Sequence, residues 1–332
     1  IKYIIKFTSL QYFQMRDGKE RHMKFLFFTD THIKGTAPEN RKDDFLETLR
    51  KKFLEIGEII KENQVDYILH GGDWFDKPDV SPSIVREFAI LIKNFGKPIY
   101  SIAGNHDVYG QNIETLGRTM LGLLDGVGVI KLIGAGETIF LKKDNIKVQL
   151  TGSSYKYDID GDNYRKHYIV KKKKGINYAI NIVHGMLLNK PFIKEVKYTL
   201  IDDIKETGAD ITLAGHYHSG FGIVQIGSKY FINPGSLVRI ANTLSEINRK
   251  PKVVLIDIDK NISIKEIEIK SAAPGEEVLD RTRLEYMNKR YENFMLFYES
   301  IGASCNYNRI DLDSIINEIV YKNDLSSQVK DE

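Results

Sequence analysis

Cysteine is almost absent from this 332-residue chain, which carries Cys305 alone. A single thiol excludes an intramolecular disulfide framework and a cysteine-based zinc site, and it fits a reducing, cytosolic setting. No apolar run approaches the roughly 20 residues of a membrane-spanning helix, so no membrane association is expected. There is no internal repeat or low-complexity tract, and the composition, 42% hydrophobic and 28% charged, is that of an ordinary globular protein.

An excess of charge of one sign is also nearly absent. The 48 Lys and Arg residues stand against 45 Asp and Glu residues, giving a net charge of +3. Residues 1–22 account for this excess, because they carry five basic and two acidic residues. From Met23 onward the chain is formally neutral, so any nucleic-acid binding must use a local basic patch and not a global field.

The first 22 residues precede Met23, at which an α/β domain would naturally begin. Lys6 interrupts their apolar stretch and no small-residue cleavage site follows, so they do not resemble a secretory signal. We expect residues 1–22 to be a leader that lies outside the domain. The alternative is an additional strand over residues 3–7.

Apolar runs and amphipathic segments alternate over the first part of the domain. Continuous apolar runs predict strands buried on both faces, at residues 24–28, 65–69 and 98–103. Apolar residues three and four apart predict a helix over residues 43–62, and Ser81-Pro82 predicts the start of a second helix that ends near Phe95. This alternation is typical of βαβ units.

The middle of the chain adds strands and hairpins. Hairpins are predicted around Asp144-Asn145 and around residues 259–261, and further strands end at His184 and Gly215. The expected fold class is α/β: a layered β-sandwich flanked by helices over residues 23–240. A short β extension or cap over residues 241–275 and a helical tail over residues 276–332 are expected to follow.

Polar motifs rich in histidine and aspartate stand where five of these strands end. Ligands of an open α/β sheet bind beyond the carboxyl ends of its strands, and residues two apart on extended backbone point to the same side. The motifs, in chain order, are Asp30-Thr31-His32, Gly72-Asp73, Gly104-Asn105-His106-Asp107, His184-Gly185 and Gly215-His216-Tyr217-His218. We expect one shared site, formed by Asp30, His32, Asp73, Asn105, His184, His216 and His218.

Carboxylate, amide and imidazole donors together suit two borderline metals such as manganese, iron or zinc. Each motif alone has a simpler explanation, since His184 fits a core histidine, the later histidine pair a surface loop and Asp30-Thr31-His32 a turn. Their joint occurrence at strand ends favours the metal site. His106 is a candidate proton donor to a leaving group. The lysine run 171–174 is either a solvated loop or a phosphate contact.

The motif set of this chain resembles that of the calcineurin-like metallophosphoesterases. It consists of D-x-H, GD-x-x-D, GNHD, H and GH-x-H. It is found here at Asp30–His32, Gly72–Asp76, Gly104–Asp107, His184 and Gly215–His218. Gly71–Asp76 and Asn233–Arg239 are most similar to the DNA-repair exonuclease branch, the SbcD-type nuclease subunits, which include phage recombination nucleases. The resemblance covers about residues 23–240.

The resemblance implies two divalent metal ions, Mn²⁺ in the first place, with Mg²⁺, Fe²⁺ or Zn²⁺ as alternatives. One ion takes Asp30, His32, Asp73 and His218. The second takes Asp73, Asn105, His184 and His216. The ions, about 3.5–4 Å apart, hold a hydroxide and the phosphodiester oxygens for in-line displacement.

The resemblance also implies roles around the metals. His106 protonates the departing sugar oxygen, and either Asp107 or the loop backbone orients its imidazole. The substrate is DNA, and we expect it to contact Lys171, Lys172, Lys173 and Lys174. SbcD-type chains usually carry a larger cap than residues 241–275 provide, which leaves open how DNA ends would be selected.

The tail is expected to bind a partner. Leu284, Met287, Tyr291, Phe294 and Tyr298 step by three and four and predict an aromatic helix face, followed by a second helix from about Leu312. These helices either pack on the catalytic domain or, as the resemblance implies, dock on an SMC-like ATPase of the SbcC type. A homodimer is a further expectation.

The function implied is a manganese-dependent DNA exonuclease or endonuclease subunit in replication, recombination or repair. The first alternative is a stand-alone phosphoesterase acting on small phosphodiesters or phosphoproteins. The second is a catalytically silent scaffold, against which the intact Asp30, His32 and His106 argue.

Overall fold

A computed structural model describes residues 22–304, with the side chains of all of these except residues 283–284 and 297–304. The expected leader, its alternative strand and the second tail helix lie outside the described residues. The chain divides into two units, residues 1–280 and residues 281–332. Over residues 22–304, no helix is long and apolar enough to cross a membrane.

The first unit contains two six-stranded sheets. In spatial order, the strands of the first are β14 (Ile262–Glu268), β13 (Lys252–Ile258), β1 (Met23–Phe28), β2 (Tyr67–His70), β3 (Ile99–Ser101) and β4 (Lys131–Leu132). Strands β1 to β4 are parallel, and β13 and β14 add to them in antiparallel fashion. The carboxyl ends of β1, β2 and β3 therefore lie at the same edge of the sheet.

The second sheet has a parallel centre and antiparallel edges. In spatial order, its strands are β11 (Gly222–Ile226), β12 (Lys229–Asn233), β10 (Ile211–His216), β7 (Tyr178–Gly185), β6 (Ile146–Ser153) and β5 (Thr138–Lys143). Strands β6, β7, β10 and β12 are parallel. A separate two-stranded sheet joins β8 (Leu187–Leu188) to β9 (Thr199–Leu200).

The helices of the first unit are mostly short. They are α1 (Phe45–Glu62), α2 (Pro82–Lys93), α3 (Met120–Gly126), α4 (Arg165–Tyr168), α5 (Ile201–Ile204), α6 (Leu244–Asn248) and α7 (Gly275–Val278), with 3₁₀ turns at Tyr109–Gln111 and Ile113–Arg118. Helix α1 begins after Asp44, whose carboxylate accepts the N–H of Glu47. Pro82 opens α2 as predicted, although the Ser81 side chain makes no capping bond to it.

The second unit, as far as it is described, is helix α8 (Thr282–Ser304). The helix covers the predicted aromatic segment, and Tyr291 on that segment is 51% exposed.

Alternate residues of β1 serve two different cores. Phe25 and Phe27 are buried with residues of the second sheet in the core between the sheets. Leu26 and Phe28 face the opposite way and pack with α1 residues such as Phe53. This arrangement, with one apolar layer between sheets and another under helices, confirms the expected α/β sandwich flanked by helices.

The hairpin β13–β14 belongs to the sandwich. Strand β13 pairs with β1, from Met23 opposite Ile258 to Phe27 opposite Val254, and Val254, Ile256 and Ile258 are fully buried in the core between the sheets. The residues expected to form a separate extension therefore complete the first sheet. The local pattern gives a hairpin, but its pairing partner lies more than 220 residues earlier in the chain.

Candidate metal centre

The loops that follow β1 and β2 run side by side. The N–H of Asp30 donates to the carbonyl of Gly72 at 3.1 Å, and the N–H of Thr31 donates to that of Asp73 at 2.9 Å. Two residues further along each loop, Ile33 forms a bridge with Phe75. These bonds bring the first two polar motifs together at the carboxyl edge of the first sheet.

Four of the candidate metal ligands have left-handed backbone conformations. The φ angles are 53° at Asp30, 41° at His32, 55° at Asp73 and 77° at His216. The expectation that the motifs converge through extended backbone was wrong, since tight turns and not strand alternation aim these side chains. Such conformations cost on the order of 1–3 kcal/mol each and cluster at functional sites.

Two glycines allow the close approach of the loops. A Cβ at Gly72, where φ is +100°, would lie 2.5 Å from Nδ1 of His184. A Cβ at Gly104 would overlap Oδ1 of Asp73. The glycines of the Gly72-Asp73 and Gly104-Asn105 motifs are therefore required for the carboxylate and the imidazole to reach their positions.

One group of donors combines Asp30, His32, Asp73 and His218, whose ligand atoms all lie within 4.8 Å of one another. Nε2 of His32 lies 3.0 Å from Nε2 of His218 and 3.9 Å from Oδ2 of Asp73. Nε2 of His218 lies 3.7 Å from Oδ1 of Asp30. Two imidazole nitrogens at 3.0 Å need a proton or a cation between them, because their lone pairs otherwise repel.

The second group combines Asp73, His184 and His216, with Asn105 beside it. Nε2 of His184 lies 3.2 Å from Oδ2 of Asp73 and 3.2 Å from Oδ1 of Asn105. Nδ1 of His184 donates to the carbonyl of Gly71 at 2.7 Å. That bond keeps the Nδ1 proton on the Gly71 side, so Nε2 is the nitrogen that faces the cluster and is free to bind a metal when the ring is neutral, as in histidines that ligate metals.

Oδ2 of Asp73 belongs to both groups. It is buried and has no hydrogen-bond partner among the described residues, whereas Oδ1 accepts the N–H of His106 at 2.9 Å. A buried carboxylate oxygen without a donor is costly unless a cation neutralises it. The mixed oxygen and nitrogen donors, the orphan oxygen and the close Nε2 pair all fit divalent metal ions.

Lowered pKa values keep two of these histidines, His32 and His216, in the neutral form that binds metals. Burial lowers the pKa of His32 well below its usual value, and burial together with His184 lowers that of His216 to about 3. His184 differs, because burial alone would lower its pKa but the Asp73 carboxylate raises it to about 9. Burial would raise the pKa of Asp73, yet His184 and His32 hold it well below its usual value.

The carboxylate of Asp30 bonds to the second sheet. Burial raises its pKa, an effect that His184 and His218 partly offset. Its carboxylate accepts the Thr29 hydroxyl at 2.7 Å and the N–H of His216 at 3.2 Å. These bonds tie the ends of β1 and β10 together, so the first sheet and the second sheet contribute ligands at fixed positions.

His106 lies at the edge of the first group, with its ring 4.8 Å from that of His32. Its Nδ1 donates to the carbonyl of Asp76 at 3.0 Å, so the loop backbone orients the imidazole. Asp107 does not take this role. Its buried carboxylate accepts N–H groups of the loops, those of Gly104, Trp74 and Phe75, and burial with Asp73 raises its pKa to about 7. Of the two alternatives for orienting the imidazole, the hydrogen bonds favour the loop backbone, and Asp107 shapes the loops.

Trp74 and His70 lie behind the site. Trp74 is fully buried. Its Nε1 donates to Ser101 at 2.8 Å, and its ring stacks on that of His70 with centroids 3.8 Å apart. Both residues therefore support the loop from β2 and do not line an opening.

The lysine run 171–174 lies at the opposite end of the second sheet. Lys172 Nζ pairs with Asp210 at 2.8 Å, and Asp210 directly precedes β10, whose other end carries His216. At about 3.3 Å per residue, six residues separate the run from the site by about 20 Å. The structure does not bring Lys171, Lys172, Lys173 or Lys174 to the metal centre, because the run precedes a strand and does not follow one.

A set of buried cations holds the segment Ser236–Arg239. Lys52 donates to the carbonyl of Leu237 at 2.7 Å, Arg41 donates to that of Arg239, and Arg249 donates to those of Ser236 and Val238. We call Lys52, Arg41 and Arg249 the carbonyl clamp. Arg249 is distant in sequence from the other two, and Arg41 precedes α1 whereas Lys52 lies on it, so no local motif identifies the set.

The clamped segment in turn supports the metal centre. The Ser236 hydroxyl donates to the carbonyl of Asp30 at 2.8 Å, and the Ser236 N–H donates to that of His218 at 2.9 Å. The Leu237 N–H donates to the carbonyl of Thr29. The clamp therefore fixes the backbone of two candidate ligands from behind.

Tyr155 is a site residue that the motifs did not identify. Its ring lies 5.5 Å from that of His216 and 6.2 Å from that of His184. It lies two residues after the end of β6, a strand that is parallel to β7. The strand-end rule that selected the other motifs would also have selected it, had β6 been recognised as a parallel strand.

The sandwich and its donor groups define a metallophosphoesterase. The chain belongs to the calcineurin-like phosphoesterase family, which matches residues 23–240. Among solved structures, it is similar to the calcineurin-like phosphoesterase YfkN from Bacillus subtilis, at 14% identity and a TM-score of 0.49, over 84% of this chain and 99% of that one.

Two curated relatives bear the name DNA double-strand break repair protein Mre11. The protein of Archaeoglobus fulgidus is 27% identical over 232 residues, covering 65% of this chain and 50% of the relative. That of Thermoplasma acidophilum is 26% identical over 262 residues, covering 75% of this chain and 66% of the relative. The chain thus spans from half to just under two thirds of the length of these relatives.

Proposed function

We propose that this chain is a two-metal DNA phosphodiesterase, an exonuclease or endonuclease subunit that acts in DNA recombination, repair or replication. The observation that carries the hydrolytic part is Oδ2 of Asp73, a buried oxygen without a donor that two groups of metal-binding side chains share. The DNA part is supported by the two relatives named for DNA double-strand break repair.

The two groups would hold one ion each. Asp30, His32, Asp73 and His218 would hold the first, and Asp73, Asn105, His184 and His216 the second. Bound ions, most simply Mn²⁺, would supply Lewis-acid polarisation of the phosphodiester and lower the pKa of water. His184 would lose its proton on metal binding, since only neutral imidazole is a ligand.

His106 is the proposed general acid. Because its Nδ1–H is held by the carbonyl of Asp76, Nε2 is the nitrogen that exchanges a proton with the substrate. Protonated there, the imidazole would donate to the sugar oxygen as its bond to phosphorus breaks. Asp107 would act indirectly, by holding the loops of Gly104 and Trp74 in shape.

We also propose that residues after Asp280 dock on an SMC-like ATPase of the SbcC type. The described part of this unit is the 23-residue helix α8, on which Tyr286, Tyr291 and Leu296 are each more than half exposed. Large exposed apolar side chains on a terminal helix favour a partner.

The first experiment is cleavage of linear single- and double-stranded DNA by the full chain with Mn²⁺, beside hydrolysis of bis-para-nitrophenyl phosphate. His106→Ala is expected to reduce DNA cleavage by about 10²- to 10⁴-fold. It should spare the small ester much more, because para-nitrophenolate leaves without needing a proton. His22→Ala is the matched control, since His22 pairs with Asp257 at the other end of β1.

Hydrolysis of the small ester with both DNA forms untouched would favour the stand-alone phosphoesterase. An equal loss on both substrates in His106→Ala would contradict the general-acid role. For the partner, a chain ending at Asp280 is the sharpest truncation, because Val278 and Leu279 are buried in the first unit. With an SbcC-type ATPase present, it should lose ATP-stimulated cleavage and keep small-ester hydrolysis.

A further inference from the structure

Four aromatic residues lie beside the candidate ligands or on the segments that continue from them. Tyr155 packs beside His184 and His216. Tyr217 lies between the candidate ligands His216 and His218 in sequence, and its ring centroid is 6.3 Å from that of Phe192. Phe192 is 40% exposed and Tyr157 is 79% exposed. We call Tyr155, Tyr157, Phe192 and Tyr217 the aromatic wall.

Lysines accompany these rings. Lys190, Lys194 and Lys197 are exposed on the same segment as Phe192, and Nζ of Lys197 lies 5.9 Å over the ring of Tyr157. Glu195 is the single acidic residue between Lys190 and Tyr198. Exposed rings beside cations match a ligand that has flat apolar faces and a negative backbone.

The segments that carry the wall are joined to each other. Oδ1 of Asp160 accepts the Tyr168 hydroxyl at 2.6 Å and the Thr199 hydroxyl at 2.7 Å, and Oδ2 accepts the N–H of Met186 at 2.7 Å. The Tyr155 N–H donates to the carbonyl of Ala103 at 2.9 Å, directly before the Gly104-Asn105 motif. The wall therefore has a fixed position relative to the candidate ligands.

We infer that the aromatic wall stacks the unpaired bases of single-stranded DNA next to the scissile phosphodiester. This inference rests on the proposed function and adds to it that the strand is unpaired at the point of cleavage. A base inside a DNA duplex is already stacked between its neighbouring bases. It can stack on Phe192 or Tyr157 only after it has separated from one of them. Duplex ends are then substrates only as far as they fray.

The test measures binding and cleavage separately, with the full chain. Binding of a fluorescent oligo(dT) 12-mer and of a blunt duplex is measured by anisotropy in EDTA, where cleavage is suspended. Phe192→Ala is expected to weaken oligo(dT) binding about 5- to 150-fold, the effect of removing one base-stacking ring. Phe192→Trp should restore it, and Tyr157→Ala, a change at a mostly exposed ring, should weaken it as well.

The matched control is Phe140→Ala. Phe140 is also exposed, at 53%, and also has a lysine, Lys173, over its ring at 5.2 Å, but it lies on edge strand β5. Phe140→Ala should bind oligo(dT) as the wild type does and hydrolyse bis-para-nitrophenyl phosphate with Mn²⁺ at the wild-type rate, because β5 contributes no candidate ligand and no ring of the wall.

The outcomes separate the two proposals. Wild-type protein that binds oligo(dT) through Phe192 without cutting it would leave the stacking role in place and contradict the nuclease. Equal binding of oligo(dT) by wild type and by both wall variants would overturn the stacking role, as would a loss that Phe140→Ala reproduces. Tighter binding of the blunt duplex than of oligo(dT) would also overturn it.

Discussion

The candidate metal centre has a closed side and an open side, and they are built differently. On the closed side, Asp30, His32 and Asp73 are at most 1% exposed, and the carbonyl clamp holds the segment behind them. On the open side, His218 is 33% exposed and the aromatic wall begins. Hydrogen bonds to backbone carbonyls dominate the first side, and rings and lysines dominate the second.

The difference assigns separate tasks to the two sides. Metal ligands must keep positions within a fraction of an ångström, which demands side chains locked by packing and hydrogen bonds. A polymer substrate must enter, and its contacts must tolerate different bases, for which stacking is suited. Changes on the closed side should therefore affect metal binding and stability, whereas changes on the open side should affect the choice of substrate.

Asp73→Asn should have the largest effect, because it removes the charge that both donor groups share. The amide can still accept the N–H of His106, so the fold should remain. We expect Mn²⁺ to raise the melting temperature of the wild type, since a ligand that binds only the folded state stabilises it. The variant should show no such rise and no DNA cleavage above background. A rise equal to that of the wild type would contradict the shared role of Asp73.

Arg249→Met should have the next largest effect, on stability. Arg249 donates to two carbonyls of the clamped segment and pairs with Glu246, and the two side chains are 9% and 4% exposed. Removing one partner of a buried pair costs about 3–5 kcal/mol, because the other charge stays buried without compensation. Urea unfolding in EDTA measures this cost without any contribution from bound metal.

The control for Arg249→Met is Lys250→Met. Lys250 pairs with Glu268, and these side chains are 67% and 53% exposed. Exposed pairs contribute at most about 1 kcal/mol, so the free energy of unfolding should barely change. Similar costs for the two variants would mean that the clamp adds no more than a surface ion pair.

The two sides also differ in how far the sequence predicts them. The donor residues follow apolar strands directly, so strand ends and local motifs were enough to assemble Asp30, Asp73 and His184. The carbonyl clamp could not be predicted, because its three cations come from separate elements and meet only after folding. The role of Asp107 was left open for a related reason. Its position in the motif says nothing of the three N–H groups around it.

Long-range pairing explains the other differences. The strand β13 was recognised as half of a hairpin, but its place beside β1 depends on residues over 220 positions apart. The lysine run 171–174 stood out by composition, although composition does not tell which end of a strand a segment occupies. Tyr155 shows the reverse case, an unremarkable residue that the end of β6 places beside two candidate ligands.

Lys52 should have a moderate and pH-dependent effect. It is 2% exposed, and its pKa is lowered well below its usual value by burial first, then by the cations Arg41, Arg239 and Arg249. In the unfolded chain its pKa returns to about 10.4. At a pH between these two pKa values, Lys52 binds a proton in the unfolded chain but not in the folded chain. The free energy of unfolding therefore rises with pH in this window. The contribution of Lys52 is complete above the unfolded-state pKa and is lost as pH falls through the folded-state pKa.

The measurement compares wild type with Lys52→Met in urea at several values between about pH 7 and pH 10. As pH rises, the free energy of unfolding of the wild type should increase relative to that of the variant. Other titrating groups are common to both proteins and cancel in the difference. If the free energies of unfolding of the two proteins change with pH in parallel, Lys52 has the same pKa in the folded and unfolded states. Burial among the neighbouring cations would then not lower its pKa.

The smallest effect is expected from the lysine run 171–174, and it is the sharpest test of the open side. Each phosphate contact that a lysine makes with single-stranded DNA contributes about 0.7 to the slope of log binding constant against log salt. Replacing Lys190, Lys194 and Lys197 by Gln should therefore reduce the slope by about 2. The same change at Lys171, Lys172, Lys173 and Lys174 should leave the slope unaltered, although it removes more charge. The slope could instead fall in proportion to the number of lysines removed, wherever they lie. DNA binding would then depend on net charge, and the aromatic wall would not define the path of the DNA.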